Sequence, residues 1–205
     1  MPKAFSEAER ARIRERLIAA GKKSINRAGT RFLVVDDIAR EAGISKGSFY
    51  SFFPSREDFI LSVFESWEAE YRNKLLAEIM DGSGTPRERL ERFFLGLFAV
   101  FEREPGLARI SYGEIERLIE VLPPARMAAH MAADKKVLTG AFAQWMRLNF
   151  IDANALAAIE GLTQALFAMA VHKDDFPPDS YGTAVKLIAE ALAMRLAKEP
   201  EGGEK

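Results

Sequence analysis

Apolar residues recur every three to four positions over most of this chain, which is the spacing of one face of an α-helix. The first such stretch predicts a helix over about residues 6–28, opened by a capping box of Ser6 with Glu9 and ended at Gly29. Its predicted buried face consists of Ile13, Leu17, Ala20, Ser24 and Ile25. No segment alternates apolar and polar residues as a half-buried strand does, so the pattern predicts an all-α fold.

Two short helices joined by a glycine turn come next. Residues 36–42 have a small apolar face, and Gly43 supplies the positive φ that closes a helix. Ser45 is placed as the N-cap of a second helix, residues 46–53, whose outer side is polar and whose two phenylalanines one turn apart are expected to be buried. Phe32 and Leu33, just before the motif, are expected to pack the first helix against it. This order is typical of a helix-turn-helix motif, whose second helix enters the major groove of DNA.

Six further helices are predicted after this motif, separated by breaks rich in Pro and Gly. In chain order they span about residues 55–81, 85–103, 107–121, 126–149, 152–172 and 179–198. The side chains expected to cap them are Ser55 with Asp58, Thr85 with Glu88, Asp152 and Asp179. The chain then has about nine helices. Because the apolar stripe of residues 55–81 is too long for a small domain, we expect a three-helix DNA-binding domain in residues 1–54 and a larger helical domain in residues 55–200.

The charge of the chain is divided unevenly along its length. Residues 1–56 hold 12 Lys and Arg against 6 Asp and Glu, whereas the remainder holds 17 against 24, although the net charge of the whole chain is only −1. A basic N-terminal quarter that contains a helix-turn-helix motif predicts contact with the phosphates of DNA.

The sequence contains no arrangement of residues that is typical of an enzyme or a metal site. There is no cysteine, His130 and His172 fit no metal-binding spacing, and Gly-x-Ser-x-Gly and phosphate-loop motifs are absent. We therefore expect no enzymatic activity, no cofactor and no bound metal. The N-terminus lacks the apolar core of a signal peptide and no apolar run is long enough to span a membrane, so we expect a cytoplasmic protein without a membrane partner.

The residues from Asp37 to Asp58, DIAREAGISKGSFYSFFPSRED, resemble the DNA-binding signature of the TetR family of bacterial transcriptional regulators, which is usually close to DIA..AGVSKGTFY.HFPSKE.L. The chain departs from that signature twice. Leu33 and Val34 stand where the family often has a capping Thr or Ser, and Phe52 stands where it often has His. The resemblance implies a homodimer, an operator on double-stranded DNA, and a small-molecule pocket built by the helices after the DNA-binding domain.

The candidate DNA contacts lie on the second helix of the motif and at the start of the next helix. Lys46, Ser48 and Ser51 are candidates for base edges, because their side chains place hydrogen-bonding groups on the outer side. Tyr50 and Arg56 are candidates for phosphates, as is the N-terminus of the next helix. The full candidate set is Lys46, Gly47, Ser48, Tyr50, Ser51, Phe52, Ser55 and Arg56.

Aromatic and methionine side chains recur at helical spacing in the larger domain. Such stripes usually form the core, yet enclosed helices rich in large, soft side chains also leave cavities between them. Together with the resemblance, these stripes predict a pocket for a hydrophobic or amphipathic effector. The candidate lining residues are Trp67, Tyr71, Phe94, Phe98, Phe101, Arg109, Tyr112, Met127, His130, Met131, Phe142, Trp145, Met146 and Gln164.

The last two predicted helices are apolar on nearly all sides, with small residues four positions apart. A helix that is wet on one side needs only one apolar stripe, so we expect a second copy of the chain to cover the rest in a four-helix bundle. The candidate interface residues are Ala157, Gly161, Ala165, Ala184, Ile188, Ala191 and Leu192.

The sequence and its resemblance to the TetR family thus predict a homodimeric transcriptional regulator that leaves a palindromic operator when it binds a small effector. The resemblance favours a repressor, and the sequence alone does not distinguish a repressor from an activator. Two alternatives stay open. One is a constitutive DNA-binding protein without an effector, and the other is an all-α enzyme or adaptor that carries the same N-terminal motif.

Overall fold

The computed structural model describes residues 5–81, 83–103 and 112–151, together with residues 158, 161–162, 165–166, 168–170 and 172–198. Its α-helices are α1 (Glu7–Ala28), α2 (Val35–Glu41), α3 (Lys46–Phe49), α4 (Arg56–Asp81), α5 (Pro86–Arg103), α6 (Tyr112–Val121), α7 (Pro124–Arg147) and α8 (Pro178–Leu196). There are also two 3₁₀ helices, Thr30–Phe32 and Lys173–Asp175, and the described residues between 158 and 170 are helical. Since the described residues pair as strands only in an isolated bridge between Ile151 and Ala197, the predicted all-α fold is confirmed.

The chain folds into two compact units that are not simply consecutive segments. The first unit takes Met1–Ala69 and Glu104–Pro123, and the second takes Glu70–Arg103 and Pro124–Lys205. Residues of α4 therefore belong to both units, and α6 belongs to the unit that contains the helix-turn-helix motif. The predicted boundary between residues 54 and 55 instead assigns all of α4 and all of α6 to the larger domain.

In the first unit, α1 is positioned by its two ends and by one close contact. Ser6 Oγ accepts a hydrogen bond from the Glu9 amide at 3.3 Å, and the Glu9 carboxylate accepts one from the Ser6 amide at 2.8 Å, which confirms the predicted capping box. The helix ends at Gly29, which has a φ of +81°. A Cβ at Gly21 would lie 2.7 Å from the Phe59 ring, so only glycine lets α1 approach α4 this closely.

Three phenylalanines join the helix-turn-helix motif to α4 in the core of the first unit. Phe49, Phe53 and Phe59 are fully buried, and their ring centroids lie 4.9–5.6 Å apart. Two of these pairs are edge-to-face, which is a favoured geometry for aromatic rings. The predicted burial of the two α3 phenylalanines is confirmed. Ser55 caps α4, because its Oγ accepts a hydrogen bond from the Asp58 amide at 3.0 Å.

The second unit has an aromatic cluster formed by α5 and α7. Phe93, Phe142 and Trp145 are each about 1% exposed, and their ring centroids lie 4.8–5.7 Å apart with nearly perpendicular planes. At the start of α5, Thr85 and Glu88 exchange backbone-to-side-chain hydrogen bonds of 2.8 and 3.3 Å, as the sequence predicted. α8 packs along α5 in the same unit.

Some predicted boundaries and contacts differ from the structure. α3 ends at Phe49 rather than at residue 53, although the Phe53 amide still donates to the Phe49 carbonyl at 3.1 Å across the following turn. Of the two residues predicted to pack between the first helix and the motif, Leu33 is buried, with 4% of its surface exposed, whereas Phe32 is 68% exposed. α2 begins at Val35, and its N-cap residue, Val34, gives no side-chain hydrogen bond, as the absence of Ser or Thr predicted.

The ends of α8 also differ from the prediction. Asp179 lies in the first turn and is not the N-cap, because Pro177 precedes a helix whose first residue is also proline, and a proline with its fixed φ starts a helix by itself. The helix ends at Leu196 rather than at residue 198. The predicted cap Asp152 lies outside the described residues. Within the part of the chain that the structure describes, no helix is long and apolar enough to cross a membrane, and no metal-binding group of His, Asp and Glu occurs.

Candidate DNA-binding surface

The turn between α2 and α3 depends on one glycine. Gly43 has a φ of +75°, a conformation that L side chains rarely adopt, as the sequence predicted. The Gly43 amide donates to the Arg40 carbonyl at 3.1 Å, and the Ile44 amide donates to the Ala39 carbonyl at 3.0 Å. These two hydrogen bonds satisfy the last carbonyls of α2 and fix the direction in which α3 begins.

α3 begins at a serine cap and presents a polar outer face. Ser45 Oγ accepts a hydrogen bond from the Ser48 amide at 3.1 Å, which confirms the predicted N-cap. Lys46 and Gly47 are exposed, Ser48 is half-buried and Tyr50 is 45% exposed. Ser48 Oγ also lies 2.9 Å from Ser45 Oγ, so its hydroxyl takes part in the cap as well as facing outward.

Lys46 is paired across the turn with a carboxylate of α2. Lys46 Nζ lies 2.9 Å from Asp36 Oδ2, and about half of each side chain is exposed. The Asp36 carboxylate, as hydrogen-bond acceptor and as opposite charge, raises the pKa of Lys46 above its ordinary value. The next residue, Asp37, pairs instead with Arg40 of the same helix at 2.9 Å. The ammonium of this candidate base contact is therefore paired with a carboxylate in the DNA-free protein.

Two arginines of α1 hold the chain that follows α3. Arg10 Nη2 donates to the Ser51 carbonyl at 2.9 Å, and Arg14 Nη1 donates to the Phe52 carbonyl at 3.4 Å. The Arg10 guanidinium also lies 4.5 Å from the centre of the Phe52 ring, and Ser51 Oγ donates to the Ser48 carbonyl at 2.7 Å. Phe52 thus packs against α1. No local sequence pattern indicates these contacts, because the partners are some forty residues apart.

Arg56 faces the entrance of α2. Its Nε donates to the Leu33 carbonyl at 3.1 Å, its Nη2 donates to the Thr30 carbonyl, and its Nη1 lies 3.3 Å from Glu57 Oε1. These interactions fix the segment that leads into the uncapped α2. The predicted phosphate contact of Arg56 would compete with all three of them.

A cavity of about 150 Å³ lies beside this entrance, within the first unit. Its lining residues are Thr30, Arg31, Arg56, Glu57, Ile60, Phe64, Glu114, Arg117 and Leu118. α6 supplies the last three of these, and Arg117 Nη2 lies 3.8 Å from Glu57 Oε1. Glu57, Glu114 and Arg117 are absent from the predicted site residues, because no local sequence pattern indicates that α6 faces the start of α4.

The candidate effector residues lie in several environments. Trp67 is buried in the first unit, and Phe94, Phe98, Phe142 and Trp145 are buried in the second. Tyr71, Met127, His130 and Met146 are half-buried, whereas Met131 is 61% exposed. Arg109 and Gln164, and the side chains of Phe101 and Tyr112, lie outside what the structure describes.

The polar groups of Tyr71 and Trp145, two members of this set, differ in their hydrogen bonding. The Tyr71 hydroxyl donates to the Gly96 carbonyl of α5, so it is already used inside the second unit. Trp145 Nε1 is buried, and no hydrogen-bond acceptor for it is found in the structure described above. A buried N–H of this kind is unusual in a folded protein.

α8 has one buried and one exposed apolar side. Val185, Ala189 and Ala193 are buried. Among the candidate interface residues, Gly161, Ala165 and Ala191 are exposed, Ala184, Ile188 and Leu192 are half-buried, and Ala157 lies outside the described residues. Leu187 and Met194, which the prediction omitted, are 60% and 62% exposed. They share the exposed side of α8 with Ala191.

Comparison with known proteins gives matches to regulators. Residues 17–63 match the model of the family described as bacterial regulatory proteins, tetR family. The first curated relatives are matched over only 35–46% of their own length. One of them, the HTH-type transcriptional repressor NemR of Escherichia coli, is 30% identical over 40% of this chain and 41% of NemR. The HTH-type transcriptional regulator BetI of Brucella canis is 29% identical over 98% of both chains.

The fold is also similar to solved structures. A transcriptional regulator from Cytophaga hutchinsonii has a TM-score of 0.64 to this chain at 17% identity, over 89% of this chain and 97% of that one. At this identity the likeness concerns the fold alone. The segment of residues 17–63, which contains the glycine turn, thus matches the tetR family of bacterial regulatory proteins, and the whole chain is similar in sequence to BetI.

Proposed function

We propose that this chain is a DNA-binding transcriptional regulator, a homodimeric repressor that leaves its operator when a small effector binds. The observation that carries the proposal is the exposed polar face of α3, fixed by the Gly43 turn and the Ser45 cap. The names of NemR as a repressor and of BetI as a regulator support this role. A protein with this role works in the bacterial cytoplasm, where the chromosome lies.

The charge of the N-terminal quarter supports a DNA partner. Its excess of Lys and Arg attracts phosphates without regard to sequence, and α3 adds groups that distinguish bases. In the proposed complex α3 lies in the major groove, with Lys46 and Ser48 toward base edges and Tyr50 toward the backbone. The hydrogen bonds from Arg10 and Arg14 keep the end of α3 in place.

The exposed side of α8 supports the homodimer. Leu187, Ala191 and Met194 recur at the spacing of one helix face, and an exposed apolar stripe of this kind is typical of a protein interface. A second copy of this chain is the partner we propose. A twofold dimer carries two helix-turn-helix motifs and therefore matches two half-sites about 34–36 Å apart in a palindromic operator.

The unpartnered N–H of Trp145 supports an effector site in the second unit. Phe93 and Phe142 surround this indole with apolar surface, and a ligand acceptor atom would satisfy its N–H. We therefore propose a hydrophobic or amphipathic effector that carries a hydrogen-bond acceptor such as a carbonyl oxygen. An aromatic cluster of this type offers few hydrogen-bonding groups to a sugar or a nucleotide.

The test begins with selection of binding sites from a library of random duplexes, followed by titration of the selected site at several salt concentrations. We expect a palindromic site and an affinity that falls steeply as salt rises, because phosphate contacts release counterions. No binding, or binding that does not depend on salt, would contradict the proposal.

The effector is tested separately, by a thermal-shift screen followed by titration of each hit against the operator complex. Reciprocal weakening of effector and operator by about 5–150-fold, or roughly 1–3 kcal/mol of coupling, is expected of an inducer. Equal effector affinity with and without DNA would favour the alternative of a constitutive DNA-binding protein.

A further inference from the structure

The Asp36–Lys46 ion pair joins the two helices of the motif. Asp36 lies in the first turn of α2 and Lys46 in the first turn of α3, so the pair spans the glycine turn. Both side chains are about half exposed, on the surface that we propose faces DNA. A carboxylate at that surface repels phosphates, and it also neutralises the Lys46 charge that would attract them.

Besides reducing the attraction to phosphates, the ion pair orients the ammonium group of Lys46. Lys46 Nζ has three hydrogens to donate, and Asp36 accepts one of them. A lysine without a partner moves freely on its four-carbon stem and contacts phosphates along any DNA. Held by Asp36, the ammonium keeps two N–H groups near one place, where the O6 and N7 atoms of a guanine are suitable acceptors.

We infer that Asp36 is a specificity-determining residue of the DNA-binding surface: it positions the Lys46 ammonium for a base edge and withholds it from phosphates. The inference rests on the proposed function. Asp36 lowers the affinity for nonspecific DNA more than the affinity for the operator, so it raises the ratio between the two.

The experiment compares Asp36→Asn with Asp37→Asn on two duplexes, the site selected by the wild-type protein and a scrambled version of it. Asp37 provides the matched control, because it is the next residue of α2, pairs with Arg40 at the same 2.9 Å, and loses the same charge. For Asp36→Asn we expect about tenfold tighter binding to the scrambled duplex and about a tenfold lower ratio between the two affinities. Its salt slope on the scrambled duplex becomes steeper by about 0.9, because one more phosphate is contacted. Asp37→Asn should change both affinities by the same factor.

Lys46→Ala, alone and combined with Asp36→Asn, completes a double-mutant cycle. If Asp36 acts through Lys46, Asp36→Asn no longer changes the ratio once Lys46 is alanine. An unchanged ratio in Asp36→Asn, or an equal change in the Lys46→Ala background, overturns the inference and leaves DNA binding intact. If the wild-type protein binds no DNA, the proposed function fails and the inference fails with it. Circular dichroism spectra and melting temperatures verify that all variants fold.

Discussion

The polar surface of α3 and the aromatic cluster of α5 and α7 are built in opposite ways. On α3 the candidate DNA contacts Lys46 and Tyr50 are exposed, and the features that fix this surface, Gly43 and Ser45, lie within a few residues. In the cluster, Phe142 and Trp145 are about 1% exposed and are held by one another and by Phe93. A change of backbone conformation should therefore disable the surface, whereas a loss of side-chain volume should disable the cluster.

Gly43→Val should strongly weaken DNA binding while the aromatic cluster stays intact. An L residue in a left-handed conformation costs about 1–2 kcal/mol, and a β-branched one costs more, so α3 should be displaced. We expect operator affinity to fall by roughly 100-fold, because several base contacts of about 1–3 kcal/mol are lost together. Gly140→Val on α7 is the control, since a Cβ there meets nothing within 4 Å and the backbone φ is ordinary. Full operator affinity of Gly43→Val in titrations would show that the turn does not fix α3.

Leu187→Asp tests whether the exposed apolar side of α8 is a dimer interface. If a second copy covers this side, the substitution buries an unpaired charge, which is strongly unfavourable. Sedimentation should then detect monomers, and operator affinity should fall by roughly 100-fold because two linked motifs no longer bind together. Ile119→Asp introduces the same charge at an exposed apolar position of α6, outside the predicted interface, and should remain dimeric. A dimeric Leu187→Asp variant would place the interface elsewhere.

Phe142→Ala and Tyr50→Ala remove an aromatic ring from each of the two regions. Phe142 is 1% exposed, so its truncation should lower the free energy of unfolding by about 3–5 kcal/mol. Tyr50 is 45% exposed, so its truncation should change that free energy by about 0.5 kcal/mol while it weakens DNA binding. Urea unfolding and operator titration on both variants measure these effects. Similar losses of stability in the two would contradict the division described above.

The smallest expected effect is the contribution of the capping boxes of α1 and α5 to the pH dependence of stability. One box lies in each unit, so both units should show it. Hydrogen bonds from the Ser6 and Thr85 backbone amides are the main cause that lowers the pKa of Glu9 and of Glu88. A carboxyl group with a lower pKa in the folded state stabilises the protein above its unfolded pKa, about 4.3, and this stabilisation disappears as the pH falls through the folded value. Glu88→Gln keeps the hydrogen bonds but does not titrate, so its melting temperature should change less than that of the wild type on acidification from about pH 5. An identical pH profile would show that the box contributes nothing measurable.

Sequence patterns predicted features whose partners lie within one or two helical turns. Gly43, Ser45 and the two capping boxes belong to this group, because backbone conformation and neighbouring side chains decide them. The burial of Phe49 and Phe53 was also predictable, because residues one turn apart share a helix face.

Contacts between distant parts of the chain could not be predicted in this way. Nothing near Arg10 indicates that its partner is the Ser51 carbonyl, and Gly21 gives no local sign that the Phe59 ring lies against it. The Asp36–Lys46 pair was missed for a different reason: both residues look like ordinary surface charges until the turn brings them together. The spacing of aromatic residues could not distinguish core residues from pocket-lining residues among the candidate effector contacts, because both environments use the same side chains.

The close contact at Gly21 should couple the position of α1 to that of the start of α4. At Gly21 the backbone of α1 lies directly against the Phe59 ring, so we expect a displacement of the start of α4 to be transmitted to α1. Arg10 lies about 16 Å along the axis of α1 from Gly21 and bonds to the Ser51 carbonyl just after α3. A tilt of about 4° at Gly21 moves Arg10 by about 1 Å, which is the difference between a hydrogen bond and none. The chain that follows α3 must then move with α1 or lose its hydrogen bond to Arg10.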